Sequence, residues 1–380
     1  MKFVIAPDSF KGSMTAKEVA DAIASGLTKV FPTADYELVP MADGGEGTVQ
    51  SLVDATAGQL LTKEVVGPLA TKVTAKYGLL GDGKTAVIEM AEASGISYIN
   101  TQTQNPLKAT TYGTGELIID ALDHGASKII LGIGGSATND GGAGMAQAIG
   151  VKLLDNHKHE LAFGGGELGK LCSLDLTGID ERLTQTELLI ASDVVNPLVG
   201  PDGASAVFGP QKGATPAMVK LLDANLTHYA ALIKKELNKE LASFPGAGAA
   251  GGLGAGLLAF TNSTMAKGID IVVEYSSLKE KARQADFVFT GEGGIDFQTK
   301  FGKTPYGVAL ATKEVAPHAP VIALAGNVGE RIDDLYHKDA IDAIFATVGG
   351  AKSLKQAFAD GQKDIAQTAE NIARLIAAIH

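Results

Sequence analysis

An α/β protein of two domains is predicted from three features of the sequence. Strand and helix alternate strictly at the start, the rhythm breaks after Leu60 into strand-like stretches, and alternation returns after about Ser277. A sheet fed from both ends of the chain accounts for that order. The expected architecture is a Rossmann-like parallel-sheet domain built from residues 1–62 plus 278–380, with an inserted mixed α/β domain over 63–277. A chain of 380 residues has room for both, at roughly 100–200 residues per domain.

The elements follow in order. Residues 3–6 (FVIA) form a short apolar run, as in a buried parallel strand. A helix starts after Thr15, which with Glu18 makes a capping box; Val19, Ile23 and Leu27 recur at helical spacing and Pro32 ends it. YELVP is a second strand, and 48–57 a second helix stopped by Gly58. LLTKEVV, KVTAKYGLL and KTAVIEM read as antiparallel strands, 117–122 as a helix stopped by Gly125, and 128–133 as a strand. Thr215-Pro216 opens a helix with Pro at its first position, whose apolar face is Met218, Leu222, Leu226, Tyr229, Ile233 and Leu237. DFVFTGEG, a helix over 305–315, PVIALAG, AIFATVGG and a last helix complete the chain.

Composition excludes several classes of function. Apolar residues make up 45% and charged residues 20%, which is globular and ordered. A net charge of −11 disfavours nucleic acid and anionic membranes as partners. The longest soft run, 246–260, is too short to span a bilayer, and MKFVIAPDSF is not a signal peptide. With a single cysteine, Cys172, no internal disulfide is available, so a cytoplasmic protein is expected. Oligomeric state leaves no mark in the sequence, and a homodimer stays open. Glycine is the outlier, 47 of 380 residues, clustered in short motifs.

Three of those motifs resemble nucleotide loops. Residues 78–85 (GLLGDGKT) satisfy the P-loop pattern, but a β-type run follows where a helix is required, so a hairpin turn is expected. Gly132-x-Gly134-x-x-Ala137 follows a strand and has Asp155 downstream, most of a dinucleotide fingerprint. Asn139-Asp140-Gly141-Gly142 would break the first helical turn, so the helix is expected near Ala143 and the segment reads as a Gly-rich loop. It keeps an NAD(P)-dependent oxidoreductase open as an alternative, beside a non-catalytic two-domain ligand-binding protein. Residues 246–251 follow Pro245 rather than a strand and read as a loop or a tightly packed helix start. His157 and His159 lie in an expected exposed turn, not a zinc site.

Ligands of open parallel sheets bind beyond the carboxyl ends of the strands. Polar residues gather there: Asp8, Ser9 and Lys11 after the first strand; Asp43 and Glu46 after the second; Ser136, Thr138, Asn139 and Asp140 after Ile133; Asp193 and Asn196 after ELLIAS; Glu292, Asp296, Gln298 and Lys303 after DFVFT; Gly326 and Asn327 after PVIALA. Glycines admit phosphate oxygens to backbone N–H groups, and carboxylates suit Mg²⁺. None of the four arginines lies in these loops, so positive charge must come from Lys11, Lys212 or Lys303.

Read together, APDSFKGS, PMADGGEGT, GGSATNDGGAGM, ASDVVNPLVG with FGPQKGA, GAGAAGGLG, and FTGEGGIDFQT with GKTP resemble the bacterial glycerate kinases of the type 1 family, in order along essentially the whole chain. The resemblance implies transfer of a phosphoryl group from ATP to D-glycerate, with the 2-hydroxyl favoured, and two α/β domains with the active site in the cleft between them. Such a reaction needs an acceptor hydroxyl, a metal, phosphate ligands and an anchor for the carboxylate. Asp193 is assigned as proton acceptor, with Asp296 second. Asp43 and Glu292 are assigned to Mg²⁺, and Lys11 with the loop carrying Gly134, Gly135, Ser136, Thr138 and Asn139 to phosphates. Lys212 or Lys303 is assigned to the glycerate carboxylate, with Asp8, Ser9 and Asn196 as further substrate contacts.

Overall fold

The structure is a computed structural model, and it describes residues 1–379. In chain order the elements are β1 (Lys2–Ile5), α1 (Ala16–Thr28), β2 (Asp35–Leu38), α2 (Thr48–Thr56), β3 (Gln59–Val66), β4 (Lys72–Leu79), β5 (Thr85–Glu89), α3 (Ala91–Ser94), α4 (Tyr112–Asp123), β6 (Lys128–Gly132), α5 (Ala143–Ala148), β7 (Lys152–Leu154), β8 (Ser173–Asp175), β9 (Glu187–Ala191), α6 (Ala204–Phe208), α7 (Pro216–Leu237), α8 (Ala249–Phe260), β10 (Ser263–Ala266), α9 (Gly268–Tyr275), α10 (Leu278–Ala282), β11 (Phe287–Ile295), α11 (Thr304–Val315), β12 (Val321–Val328), β13 (Ala343–Ala346) and α12 (Leu354–Ile379). They form two compact units, Met1–Ala57 with Lys267–His380, and Gly58–Ala266. The α/β class with a parallel sheet drawn from both chain ends is as expected.

The bounds of the units differ from residues 62 and 277 for local reasons. β3 already begins at Gln59, paired to Leu79 of β4, which carries 59–62 into the second unit. At the other junction α9 and α10 pack against α11 of the first unit. Helix ends also shift: α2 stops at Thr56, with Ala57 rather than Gly58 in the left-handed cap, and α4 starts at Tyr112, a turn before the apolar run.

The sheet of the first unit has the order β13-β12-β11-β1-β2, parallel throughout. Phe3, Ile5, Phe287, Phe289, Ile322 and Leu324 join one core with the inner faces of α1 and α12, while α11 packs against β11. Gly26 lets α1 approach α12: a Cβ there would lie 2.2 Å from the Ala366 carbonyl oxygen. Thr15 and Glu18 form the expected capping box. The chain leaves β1 toward β2 on one side, and β11, β12 and β13 extend the sheet on the other. The order therefore reverses between β1 and β11, where open α/β sheets hold their ligands.

The sheet of the second unit has the order β10-β9-β6-β5-β4-β3, parallel from β10 to β5 and antiparallel for β4 and β3. Its core includes the buried Tyr77, whose hydroxyl donates to Asp120 Oδ2 at 2.8 Å. α7 begins as expected, with Thr215 accepting from Met218 N and Pro216 at the first position.

Candidate active site

In the first unit, the loops after β1, β2 and β11 wall a cavity of about 370 Å³ at the strand-order reversal. Asp8 N continues the sheet pairing by donating to Gly291 O at 2.8 Å, which fixes Asp8 above the end of β11. Its side chain is 5% exposed and accepts from Ser9 N at 2.6 Å and from the hydroxyl of Thr304, the first residue of α11. Glu292, near the end of β11 and 9% exposed, accepts at Oε1 from Lys303 Nζ at 3.2 Å and Thr299 Oγ1 at 3.3 Å. Asp43 follows β2 in a glycine turn and accepts from Gly45 N at 3.0 Å. Ser9, Lys11, Lys303 and Asn327 stand beside them in the wall.

Charge is resisted here. Burial pushes the Asp8 carboxyl up to about 6; Asp43 adds to the rise, and the Thr304 hydroxyl opposes it. Burial pushes Glu292 up to about 7, with Asp8 adding and the Lys303 ammonium opposing. Carboxylates that repel one another across a shared cavity are groups that a divalent cation would relieve. Among the described residues, no three His, Cys, Asp or Glu side chains gather as a ready-made metal cluster. Mg²⁺ takes one or two carboxylates and completes its shell with water and phosphate oxygens. The carboxylates of Asp8, Asp43 and Glu292 fit such an ion.

The rest of the cavity is mostly apolar, lined by Phe10, Met14, Val348, Leu354, Ala357, Phe358 and Gly361, with Ser13, Thr347 and Asp364, which is paired to Lys352 Nζ at 2.6 Å, among them. Residues 10–14 fold into a tight turn, closed by Phe10 N to Met14 O and Met14 N to Phe10 O, both at 2.9 Å. Gly12 supplies its positive φ of 78°. Phe10 lies in the APDSFKGS motif and Phe358 in none; the fold brings both to one cavity. The signal available was that Leu354, Phe358 and Gly361 continue the helical stripe of Ile365, Ala369, Ile372 and Ile376.

In the second unit, the loop after β6 is locked from below. Lys212 is 1% exposed, and its Nζ donates to Ser136 Oγ and to Thr138 O, both at 2.6 Å. Burial lowers its pKa to about 7, and the charge of Asp140 opposes the fall. Lys212, one of the two lysines expected at the glycerate carboxylate, thus spends two of its three donors on the loop. Asp140 is fully buried and accepts from Thr111 N at 2.8 Å, Thr111 Oγ1 at 2.9 Å, Gly142 N at 3.1 Å and Gly144 N at 3.2 Å. Gly251 abuts the same loop: a Cβ there would lie 2.0 Å from Thr138 O. The 246–251 motif is therefore a packing surface for the first Gly-rich loop.

Of the loop residues assigned to phosphates, Gly134 and Gly135 are exposed, whereas Ser136, Thr138 and Asn139 are buried. Asn139 Nδ2 donates to Ser205 Oγ at 2.9 Å. Asp193 is exposed just beyond β9. Asn196 holds its own turn, donating to Asp202 O at 2.9 Å. Asp296 caps the turn after β11 by accepting from Gln298 N at 2.8 Å, and it does not line the cavity that holds Glu292.

The helix after the Gly132 motif starts at Ala143, as expected, so the motif does not sit on a helix N-terminus and the dinucleotide fingerprint is not built. Residues 78–85 connect the antiparallel β4 and β5. Among the described residues, no helix is long and apolar enough to cross a membrane.

The chain matches the model of the glycerate kinase family over residues 3–377. It is 54% identical over 370 residues to a glycerate kinase of Halalkalibacterium halodurans, covering 97% of each chain. It is 49% identical over 377 residues to the glycerate 2-kinase of Escherichia coli, covering 99% of this chain and 98% of the relative. A crystal structure designated glycerate kinase 2 of Salmonella typhimurium LT2 matches with a TM-score of 0.91 at 48% identity, covering 100% of this chain and 98% of that one. With this fold and these carboxylate and lysine loops, the chain is an enzyme of the glycerate kinase family.

Proposed function

We propose that the enzyme transfers the γ-phosphoryl group of Mg·ATP to the 2-hydroxyl of D-glycerate, giving 2-phosphoglycerate and ADP, and that it works in the cytoplasm as a type 1 member of the family. The observation that carries this reading is the cavity at the strand-order reversal. Two buried carboxylates of resisted charge stand there with Asp43, Lys11 and Lys303. Choice of the 2-hydroxyl is supported by the name of the Escherichia coli relative, glycerate 2-kinase.

Asp43 and Glu292 would hold Mg²⁺, with Asp8 beside them. When bound, the ion neutralises charge on the phosphate oxygens. Lys11 is exposed and free to follow the phosphates. Lys303, tethered to Glu292, takes the glycerate carboxylate; with Lys212 buried, it is the better of the two lysines assigned to that role. The exposed Gly134 and Gly135 present backbone to phosphate oxygens, and Ser136 is oriented by Lys212. Asp193, exposed just beyond β9, accepts the proton of the attacking hydroxyl, with Asp296 second. A loose phosphoryl-transfer transition state asks mainly for positioning and charge neutralisation, and the loops supply both.

The test is to incubate protein, Mg·ATP and D-glycerate, follow ADP, and record the ³¹P spectrum of the product. A phosphate on C2 couples to one proton and gives a doublet; on C3 it couples to two and gives a triplet. A doublet supports the reading, a triplet moves the acceptor to the 3-hydroxyl, and absence of ADP removes ATP as donor.

A further inference from the structure

We propose that the apolar half of the first unit's cavity, walled by Phe10, Met14, Val348, Leu354 and Phe358 and floored by Gly361, is the subsite for the purine ring of the phosphoryl donor. This rests on the reading that the donor is ATP, and it names the part of the site that selects the base.

The argument starts from α12. Its apolar stripe runs from Leu354 through Phe358, Gly361, Ile365, Ala369 and Ile372 to Ile376. From Ile365 onward the stripe is core, packed with α1. In the first two turns the same stripe is left uncovered: Leu354 is 71% and Phe358 42% exposed, and both face the cavity. Apolar side chains held open on a helix face are costly, at about 25 cal/mol per Å² of apolar surface left in water, unless a ligand covers them. The turn of residues 10–14 braces the wall from the other side. The Phe358 ring lies 3.4 Å from where a Cβ of Gly12 would stand, and Ser13 Oγ donates to Phe358 O at 3.2 Å. Gly361, inside a helix where glycine is disfavoured, gives its space to Met14: a Cβ there would lie 2.6 Å from Met14 Cε.

The chemistry of the substrates decides the occupant. D-Glycerate is three carbons carrying a carboxylate and two hydroxyls, and it has nothing to place against two phenylalanines, a methionine and a leucine. The triphosphate belongs with Lys11 and the carboxylates at the polar end of the same cavity. Only the purine is flat and apolar. Aromatic and thioether side chains are suitable partners for its faces. A cavity of about 370 Å³ that runs from this wall to the buried carboxylates offers one continuous path for base and phosphates.

The test compares Phe358→Ala and Gly361→Leu with the wild type. KM for ATP and for D-glycerate is measured, with inhibition constants for adenosine and for inorganic tripolyphosphate and a melting curve for each variant. Both substitutions favour helix, Phe358 is exposed, and the nearest atom to a Cβ at Gly361 is the flexible end of Met14, so folding should survive. Phe358→Ala is expected to raise KM for ATP and the adenosine constant about tenfold or more, and Gly361→Leu, which drives Met14 into the subsite, to raise them further. KM for D-glycerate and the tripolyphosphate constant should stay within twofold. Unchanged ATP and adenosine constants in folded variants would overturn the subsite, as would parallel weakening of tripolyphosphate. A wild type that forms no ADP would instead remove the kinase reading, and this assignment with it.

Discussion

The cavity loops of the first unit and the Gly-rich loop of the second use similar residues to opposite ends. Both carry a buried carboxylate and a lysine among glycines. In the second unit, the partners of those groups lie inside the protein: Asp140 accepts four hydrogen bonds, and Lys212 donates its two to the loop it supports. In the first unit, Asp8 and Glu292 are held where their charge is resisted, Lys303 is the one ammonium on Glu292 at hydrogen-bond distance, and the remaining valence faces an open cavity. A charged group whose partners lie inside the protein is scaffold. One left with unsatisfied charge is built for a ligand, because the cost of burying it is recovered when a cation or anion arrives. Substitutions of Asp8 or Glu292 should therefore cost activity, and those of Asp140 or Lys212 stability.

The largest effect is expected at Glu292. Glu292→Gln keeps the shape and one acceptor for Lys303 and Thr299 but removes the charge. Turnover should fall about 10²–10³-fold, equivalent to ~3–4 kcal/mol of barrier. Stability should move the other way. The folded pKa of Glu292 is raised from 4.5 to about 7, so between those values the folded state holds a proton that the unfolded state has released. Folding stability from this group therefore falls as pH rises from about 4.5 to about 7. Glu292→Gln should flatten that slope and melt above the wild type at pH 8. A variant that loses both activity and stability would show Glu292 to be scaffold, and the contrast between the units would fail.

Asp193→Asn tests the assigned base. If Asp193 takes the proton, kcat should drop about 10²-fold with KM for ATP nearly unchanged. Equal turnover would leave positioning and charge neutralisation to carry the reaction, and collapse in Asp296→Asn instead would exchange the two roles.

Lys212→Met should show the second unit's behaviour. It strands Ser136 Oγ and Thr138 O without their donor, each worth about 1–3 kcal/mol, so a loss of several degrees in Tm is expected. The sign with pH is specific. Lys212 in the folded state loses its proton near 7, whereas the unfolded chain keeps it to about 10.5. The wild type therefore gains stability relative to Lys212→Met as pH rises from about 7 toward 10.5. Denaturant titrations of both proteins at pH 7 and pH 9 measure it; a constant gap would mean that Lys212 stays charged.

How much of this was legible in the sequence divides along the same line. Local chemistry was readable: the Thr15–Glu18 box, the Thr215-Pro216 start and the helix at Ala143 are each specified by a few adjacent residues. So was the polar character of the strand-end loops. Long-range pairing was readable only as rhythm. Nothing near Phe3 names Phe287 as its neighbour, yet that register sets Asp8 beside the end of β11. The burial of Lys212 was hidden too, because a lysine in FGPQKGA looks like any exposed loop lysine until its donors are seen to point inward. The apolar wall was hidden most completely, since Phe10 and Phe358 belong to opposite ends of the chain and only the fold brings both to one cavity.

The smallest effect is expected where the sequence looked most like a nucleotide site. Residues 78–85 match a P-loop letter for letter, and a real one would make Lys84 indispensable. The structure gives the segment a different occupation. β4 and β5 are antiparallel neighbours, and Asp82 closes the turn between them by accepting from Lys84 N at 2.8 Å, Thr85 N at 2.9 Å and Thr85 Oγ1 at 2.7 Å. Gly83 takes a φ of 66°, with no atom within 4 Å of where a Cβ would stand. The backbone N–H groups of Leu80, Gly83, Lys84 and Thr85 are bonded within the turn, and a strand rather than a helix follows. Lys84→Ala should therefore change turnover and KM for ATP by less than twofold and Tm by about a degree. Asp82→Ala should cost more stability than Lys84→Ala, about 1 kcal/mol, because it removes the acceptor that shapes the hairpin. A hundredfold loss of turnover in a folded Lys84→Ala protein would overturn this, and would transfer phosphate binding from the cavity of the first unit to a turn that the fold gives no means of performing it.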